Sequence, residues 1–245
     1  MLAVRVAVMS DVHSNLEALD AVLAAADEQG CDRLLVLGDL VGYGADPDAV
    51  IARLVERGAV AIAGNHDLAA IGRFDATWFN EVASSAIAWT AETMSADTRA
   101  FLAELEPRRD EPDALLVHGS VRDPAAEYLL TLEDAKASFE LGDFAVAFFG
   151  HTHLPSIFRS DERGRVDGRI LPEGSPIDLE PGARYMLNPG SVGQPRDRDP
   201  RAAFIVWEDG RVLGHRVAYP IEKTAAKINA AGLPRWLADR LSLGE

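Results

Sequence analysis

Five of the six histidines in this 245-residue chain sit in four short motifs, and each motif directly follows an apolar, strand-length run. Asp11-Val12-His13 follows the first run, Gly64-Asn65-His66-Asp67 the third, His118-Gly119 the fourth and Gly150-His151-Thr152-His153 the fifth. Gly38-Asp39, which carries no histidine, follows the second. Asp and Asn offer hard oxygen donors and His a borderline nitrogen, a mixture that suits Mn²⁺, Fe²⁺, Co²⁺ or Zn²⁺ better than Ca²⁺ or Mg²⁺ alone. In extended chain, positions i and i+2 point the same way, so Asp11 with His13, and His151 with His153, are expected to converge. Glycines beside Asp39, Asn65, His118 and His151 permit the tight turns that crowding around ions demands. A single such motif carries little, and His215, alone in the C-terminal hairpin, reads as structural. The joint occurrence at five strand ends is what makes a metal site the reading.

The elements that must hold these residues follow from hydrophobic spacing. Val4–Met9 reads as a strand, and Ser14 with Glu17 as a capping box opening a helix with Leu16, Leu19, Leu23 and Ala26 on its apolar face, closed by Gly30. Leu34–Leu37 reads as the second strand. Asp46-Pro47 starts a second helix with Val50, Ile51, Leu54 and Val55 facing inward, and Val60–Ala63 follows as a third strand. Short strand–helix–strand repeats imply a parallel sheet whose carboxyl ends line a crevice. Phe74–Leu105 reads as mostly helical, with Trp78, Phe79, Ile87, Trp89, Phe101 and Leu102 as core, followed by strands at Leu115–Val117 and Ala145–Phe149 and an intervening helix capped by Thr131 and Asp134. Beyond His153, close-spaced strands and the hairpin turn Asp209-Gly210 indicate antiparallel pairing, and the chain ends in a helical tail from about residue 221. One domain over 1–245 is expected, since no linker-like tract divides the chain.

Composition narrows the function. A net charge of −15 argues against a protein that grips nucleic acid through a basic surface. No apolar run is long enough to span a bilayer. Arg5 breaks the N-terminal apolar stretch, which therefore reads as a core strand and not a signal peptide. Cys31 is the sole cysteine, so there is no internal disulfide and no thiolate cage, and a cytoplasmic location is expected.

The ordered set Asp11-x-His13, Gly38-Asp39, Gly64-Asn65-His66-Asp67, His118 and Gly150-His151-x-His153 resembles the calcineurin-like metallophosphoesterase superfamily. Asn188-Pro189-Gly190-Ser191 makes its smaller bacterial and archaeal members the nearest in pattern. The resemblance implies a four-layer α/β/β/α sandwich of two mixed β-sheets flanked by helices, with two divalent transition-metal ions, Mn, Fe or Zn. It assigns Asp11, His13, Asp39 and His153 to one ion and Asp39, Asn65, His118 and His151 to the other, with Asp39 bridging and His66 catalytic near the leaving group. The expected reaction is in-line attack of a metal-bridging hydroxide on a small phosphate ester. Protein phosphatases of the superfamily carry Gly-Asp-x-x-Asp-Arg-Gly, whereas this chain reads Gly38-Asp39-Leu40-Val41-Gly42-Tyr43-Gly44. The missing arginine favours phosphodiesters or nucleotides over phosphoproteins. Arg196 and Arg198 are candidate substrate-binding residues, set against a solvated turn with Asp197 and Asp199. The rival readings are a phosphomonoesterase or protein phosphatase, a nuclease on long DNA, and a non-catalytic metal-binding scaffold for protein partners.

Overall fold

The computed structural model describes residues 4–245, so Met1–Ala3 of the expected domain lie outside the described residues. The first half runs β1 (Val6–Met9), α1 (Leu16–Glu28), β2 (Arg33–Val36), α2 (Pro47–Glu56), β3 (Val60–Ala61), α3 (Asn65–Ala70), α4 (Glu81–Thr93) and α5 (Ala96–Ala103). It continues through β4 (Arg108–Asp110), β5 (Leu115–Val117), α6 (Leu132–Leu141) and β6 (Val146–Phe148). Then come β7 (Ser156–Ser160), β8 (Val166–Ile170), β9 (Ile177–Asp178), β10 (Arg184–Asn188), β11 (Ala202–Glu208), β12 (Arg211–Val217), α7 (Ile221–Ala230) and α8 (Trp236–Asp239).

The strands form two six-stranded sheets, ordered β3-β2-β1-β11-β12-β9 and β4-β5-β6-β10-β7-β8. Both are mixed. β1, β2 and β3 run parallel, as do β5, β6 and β10, while β11 joins β1, and β7 joins β10, antiparallel. Alternation along the strands explains the layering. Val8, Leu35, Leu116, Phe148, Leu187 and Ile205 point between the sheets. Ala7, Met9, Val36 and Phe204 meet α1 and α2 on one outer face, and Leu115, Val117, Ala147 and Met186 meet Ala135 and Phe139 of α6 on the other. The result is helix, sheet, sheet, helix. The strands after His153 are shared between the sheets, β9, β11 and β12 in one and β7, β8 and β10 in the other.

Several local expectations are corrected. The first helix is capped by Asn15, whose side chain accepts from the Ala18 amide at 3.1 Å, and not by Ser14, which has φ 52°. Val55 is exposed, since it falls off the stripe set by Val50, Ile51 and Leu54. Trp78 is 79% exposed on a short 3-10 turn (Ala76–Trp78) and is not core. The hairpin turn holds as read: Asp209 and Gly210 both have positive φ, 48° and 70°, as a type I′ turn requires.

Candidate metal centre

The motif loops follow β1, β2, β5 and β6 at their carboxyl ends, and α3 begins on the third motif. The first two loops are zipped together: the amides of Asp11, His13 and Ser14 donate to the carbonyls of Gly38, Asp39 and Leu40 at 3.1, 2.9 and 3.0 Å. Here the chain is not extended. Asp11, His13, Asp39, His151 and His153 all have left-handed φ, between 49° and 63°. The pairing expected from extended geometry therefore fails as a reason. Asp11 and His13 do meet at one centre, but His151 and His153 face different ones. Close approach decides the glycines: a Cβ on Gly38 would lie 2.5 Å from the Gly64 nitrogen, and one on Gly64 would collide with the Asp39 carboxylate.

Ligand atoms of Asp11, His13, Asp39 and His153 lie within 4.8 Å of one another, and so do those of Asp39, His118 and His151. All of these residues are buried. Asp39 belongs to both groups. Its Oδ1 accepts from the His66 amide at 2.9 Å, which leaves Oδ2 facing His13 Nε2 at 3.6 Å and His118 Nε2 at 3.4 Å. Asn65 Oδ1 sits 3.2 Å from His118 Nε2, so the structure brings Asn65 to the second group.

Outer hydrogen bonds orient the rings. His13, His118 and His153 each direct Nδ1 at a main-chain carbonyl, of Val41, Leu37 and Gln194, at 3.2, 2.7 and 2.6 Å. In the neutral His13 and His153 those bonds place the proton on Nδ1 and a lone pair on Nε2. The Nε2 atoms of His13 and His153 then face each other at 3.2 Å. Two lone pairs at that distance repel unless a cation lies between them. Asp11 Oδ2 and His151 Nε2 are buried without any hydrogen-bond partner, as atoms reserved for a ligand would be. The donor set fits divalent metal ions. Asn188 and Ser191 complete the frame: Asn188 Nδ2 donates to the Gly150 carbonyl at 2.7 Å, and Ser191 Oγ to the Asp11 carbonyl at 2.9 Å.

The electrostatics agree. Burial lowers His13 and His153 well below the usual range and takes His151 down to about 3. Burial, then the neighbouring Asp39 charge acting against His118, raise Asp11 to about 7. Burial opposes the charge on His118, yet Asp39 and Asp11 hold it up to about 9. Without metal, a proton on His118 thus offsets the charge of the buried Asp39. Asp67, whose oxygens accept from the Val41 and Gly64 amides at 2.9 and 2.8 Å, is structural and belongs to neither ligand group.

A cavity of about 310 Å³ opens beside the centre, lined at its base by Asp39, Asn65, His66, His151 and His153. Its walls are aromatic, from Tyr43, Phe74, Trp78, Phe79 and Tyr128. Tyr128 stacks on His151 at 4.0 Å, and His66 lies edge-on to Phe79 at 4.8 Å. Arg196 also lines the cavity; Arg198 is exposed on the same loop and does not. The sequence reading missed Tyr43, Tyr128 and Arg240 as wall residues. Tyr43 had a signal, standing in the stretch where the arginine motif is absent. Arg240 had none.

Comparison with known proteins places these features. The family model for the calcineurin-like phosphoesterase superfamily domain matches residues 4–210. An uncharacterized protein of Methanocaldococcus jannaschii is 35% identical over 250 residues, covering 100% of both chains. A metallophosphoesterase from Sphaerobacter thermophilus, known as a crystal structure, is 40% identical with a TM-score of 0.89, over 99% of this chain and 100% of that one. A hypothetical protein from Pyrococcus horikoshii shares the fold at 19% identity, with a TM-score of 0.80 over 99% of each chain.

Proposed function

Because the chain belongs to the calcineurin-like phosphoesterase superfamily and is a metal-dependent phosphoester hydrolase, we propose that it works with two divalent metal ions on small phosphodiesters or nucleotides. The observation that carries the two-ion reading is Asp39, shared by two ligand groups, one of which holds facing imidazole nitrogens at 3.2 Å. Asp11, His13, Asp39 and His153 would hold one ion, and Asp39, Asn65, His118 and His151 the other, with Mn, Fe or Zn the candidates. Bound there, such ions supply a nucleophile at neutral pH and neutralise phosphoryl oxygens. The chain's own residues do the rest. Arg196 binds a phosphoryl oxygen, His66 presents a ring nitrogen to the leaving-group oxygen, and the aromatic walls exclude water and receive a planar leaving group.

The preference for small esters is supported by the cavity's size and by Tyr43, which packs on His13 and His66 at 4.6 and 4.5 Å where a phosphate-clamping arginine would otherwise enter. Comparison of an aryl phosphodiester, an aryl phosphomonoester and a phosphoserine peptide at equal metal loading tests it. The diester should give the highest kcat/KM. Superiority of the phosphopeptide would return the reading to a protein phosphatase, and turnover of none of them would favour a scaffold.

Metal uptake itself has an expected signature. With His118 near 9 and Asp11 near 7, both groups carry protons at pH 7 that ligation must displace. Titration calorimetry in buffers of different ionisation enthalpy should show about two metal equivalents and release of about one to two protons at pH 7. Between pH 7 and about pH 10, where both groups are largely deprotonated, release should fall by about one to two protons, leaving only what bound water gives up. A stoichiometry fixed at one ion under excess metal would remove the bridging role of Asp39.

A further inference from the structure

Two arginines in the cavity have no side-chain carboxylate partner among the described residues, whereas several other arginines do. Arg33, Arg53, Arg122, Arg201 and Arg216 each meet an Asp or Glu side chain. Arg196 instead gives one bond to Gln194 Oε1 at 3.0 Å, and its Nε is buried with no partner. Arg240 donates through Nε to the Glu245 main-chain oxygen and feels the Glu245 charge, but no carboxylate side chain among the described residues forms an ion pair with it. Both line the cavity beside the metal centre. Burial and then the charge of Arg196 push Arg240 down to about 10. Two half-buried cations that repel each other in one cavity form a site for an anion.

Their order from the centre can be read. Arg196 lines the cavity with Asp39, His151 and His153, and it bonds Gln194, whose main-chain oxygen meets His153 Nδ1 at 2.6 Å, so it lies at the inner end. Tyr43 adjoins both, with its ring centroid 6.0 Å from Arg196 Cζ and its side chain lining an outer hollow with Arg240. That hollow, lined also by Trp236, Asn80 and Glu81, puts Arg240 toward the mouth. The segment that carries it is fastened to the site. Thr224 Oγ1 donates to Asn15 Oδ1 at 2.9 Å, Lys227 pairs with Glu17 and Asp46, and the Arg198 amide donates to the Gly244 carbonyl at 2.8 Å. Leu237, Ala238 and Leu241 pack in one cluster with Tyr43. Arg240 lies beyond residues 4–210, the span that the family model matches.

We infer that Arg196 and Arg240 form a subsite for a second phosphoryl group, so that the substrate carries a phosphoanhydride of the nucleoside-diphosphate kind, with one phosphorus at the metal centre and the next toward the mouth. This rests on the phosphoester reading of the same site. A guanidinium presents several donors in a fixed plane and binds phosphoryl oxygens in pairs, which suits it to a dianionic terminal group.

Calorimetry on the metal-loaded protein with orthophosphate and with methylenediphosphonate, neither of which is turned over, tests the subsite. The wild type should bind the diphosphonate about tenfold or more tighter than orthophosphate. Arg240→Gln should weaken the diphosphonate by about 10–100-fold, the worth of a charge-assisted pair, with a much smaller change for orthophosphate. Arg196→Gln, at the inner end, should weaken both ligands, while Arg198→Gln, on the same loop but outside the cavity, should weaken neither. A diphosphonate affinity untouched by Arg240→Gln, or an equal loss of both ligands on that change, overturns the subsite. Failure of the wild type to hydrolyse any ester would defeat the proposed function instead, and the binding ratio would still judge the subsite.

Discussion

Replacing Asp39 by Asn should lower kcat/KM by about three orders of magnitude or more and cost at least one metal ion, while the fold survives. The carboxylate is the one group that both ligand sets share, with Oδ2 3.6 Å from His13 Nε2 and 3.4 Å from His118 Nε2. An amide keeps the shape and even the acceptor that Oδ1 offers the His66 amide. It lacks the negative charge that offsets the repulsion between two cations held close together. The charge matters before any metal arrives too, because His118 is held near 9 chiefly by Asp39 against its burial. Metal analysis, circular dichroism and turnover on an aryl diester check the three parts of the expectation. Near-normal turnover with two ions bound would mean that Asp39 is not the bridge.

His66→Ala should lose about 10²–10⁴-fold on an alkyl or nucleoside diester and markedly less on a nitrophenyl ester, with metal content unchanged. The reason lies in the leaving group: nitrophenolate departs readily as an anion, whereas an alkoxide needs a proton. His66 is placed for this role by its main chain, since its amide serves Asp39 while its ring lines the cavity between Tyr43 and Phe79, with Nδ1 buried against Gly42. Burial takes the ring down to about 4, so in the metal-free site it is neutral at pH 7 and must take up a proton before it can donate one. Equal losses on both esters would instead mark a contact with the phosphate, and loss of a metal ion would make His66 a ligand.

How much of this was legible follows from what a sequence encodes locally. The clustering of the candidate ligands was readable because their types are scarce and each follows a strand, and strand ends of a parallel sheet share one rim. The turn at Asp209-Gly210 and the cap at Thr131 were readable because both are closed within four residues. Ser14 was misread as a cap because nothing in its neighbours announces a left-handed backbone, which is imposed by pairing with Leu40, far along the chain. Trp78 was misread as core because helical spacing was assumed across a stretch that a 3-10 turn interrupts. Arg240 could not be found at all. Its place depends on a tail that docks through Thr224, Lys227 and Leu237, contacts with no short-range pattern.

The left-handed backbone at the ligands has a bearing on engineering. Each non-glycine residue held there costs on the order of 1–2 kcal/mol. Asp11, His13, Asp39, His151 and His153 all sit in that conformation, so the candidate ligands are also places where the chain could gain stability by losing them. A glycine or asparagine at position 13, 151 or 153 should relax the metal-free protein. A thermostability selection on melting temperature alone, run without metal, would therefore drift toward a sturdier and inert scaffold. Running it with metal bound reverses the incentive, because each lost ligand then forfeits binding energy that stabilises the folded state.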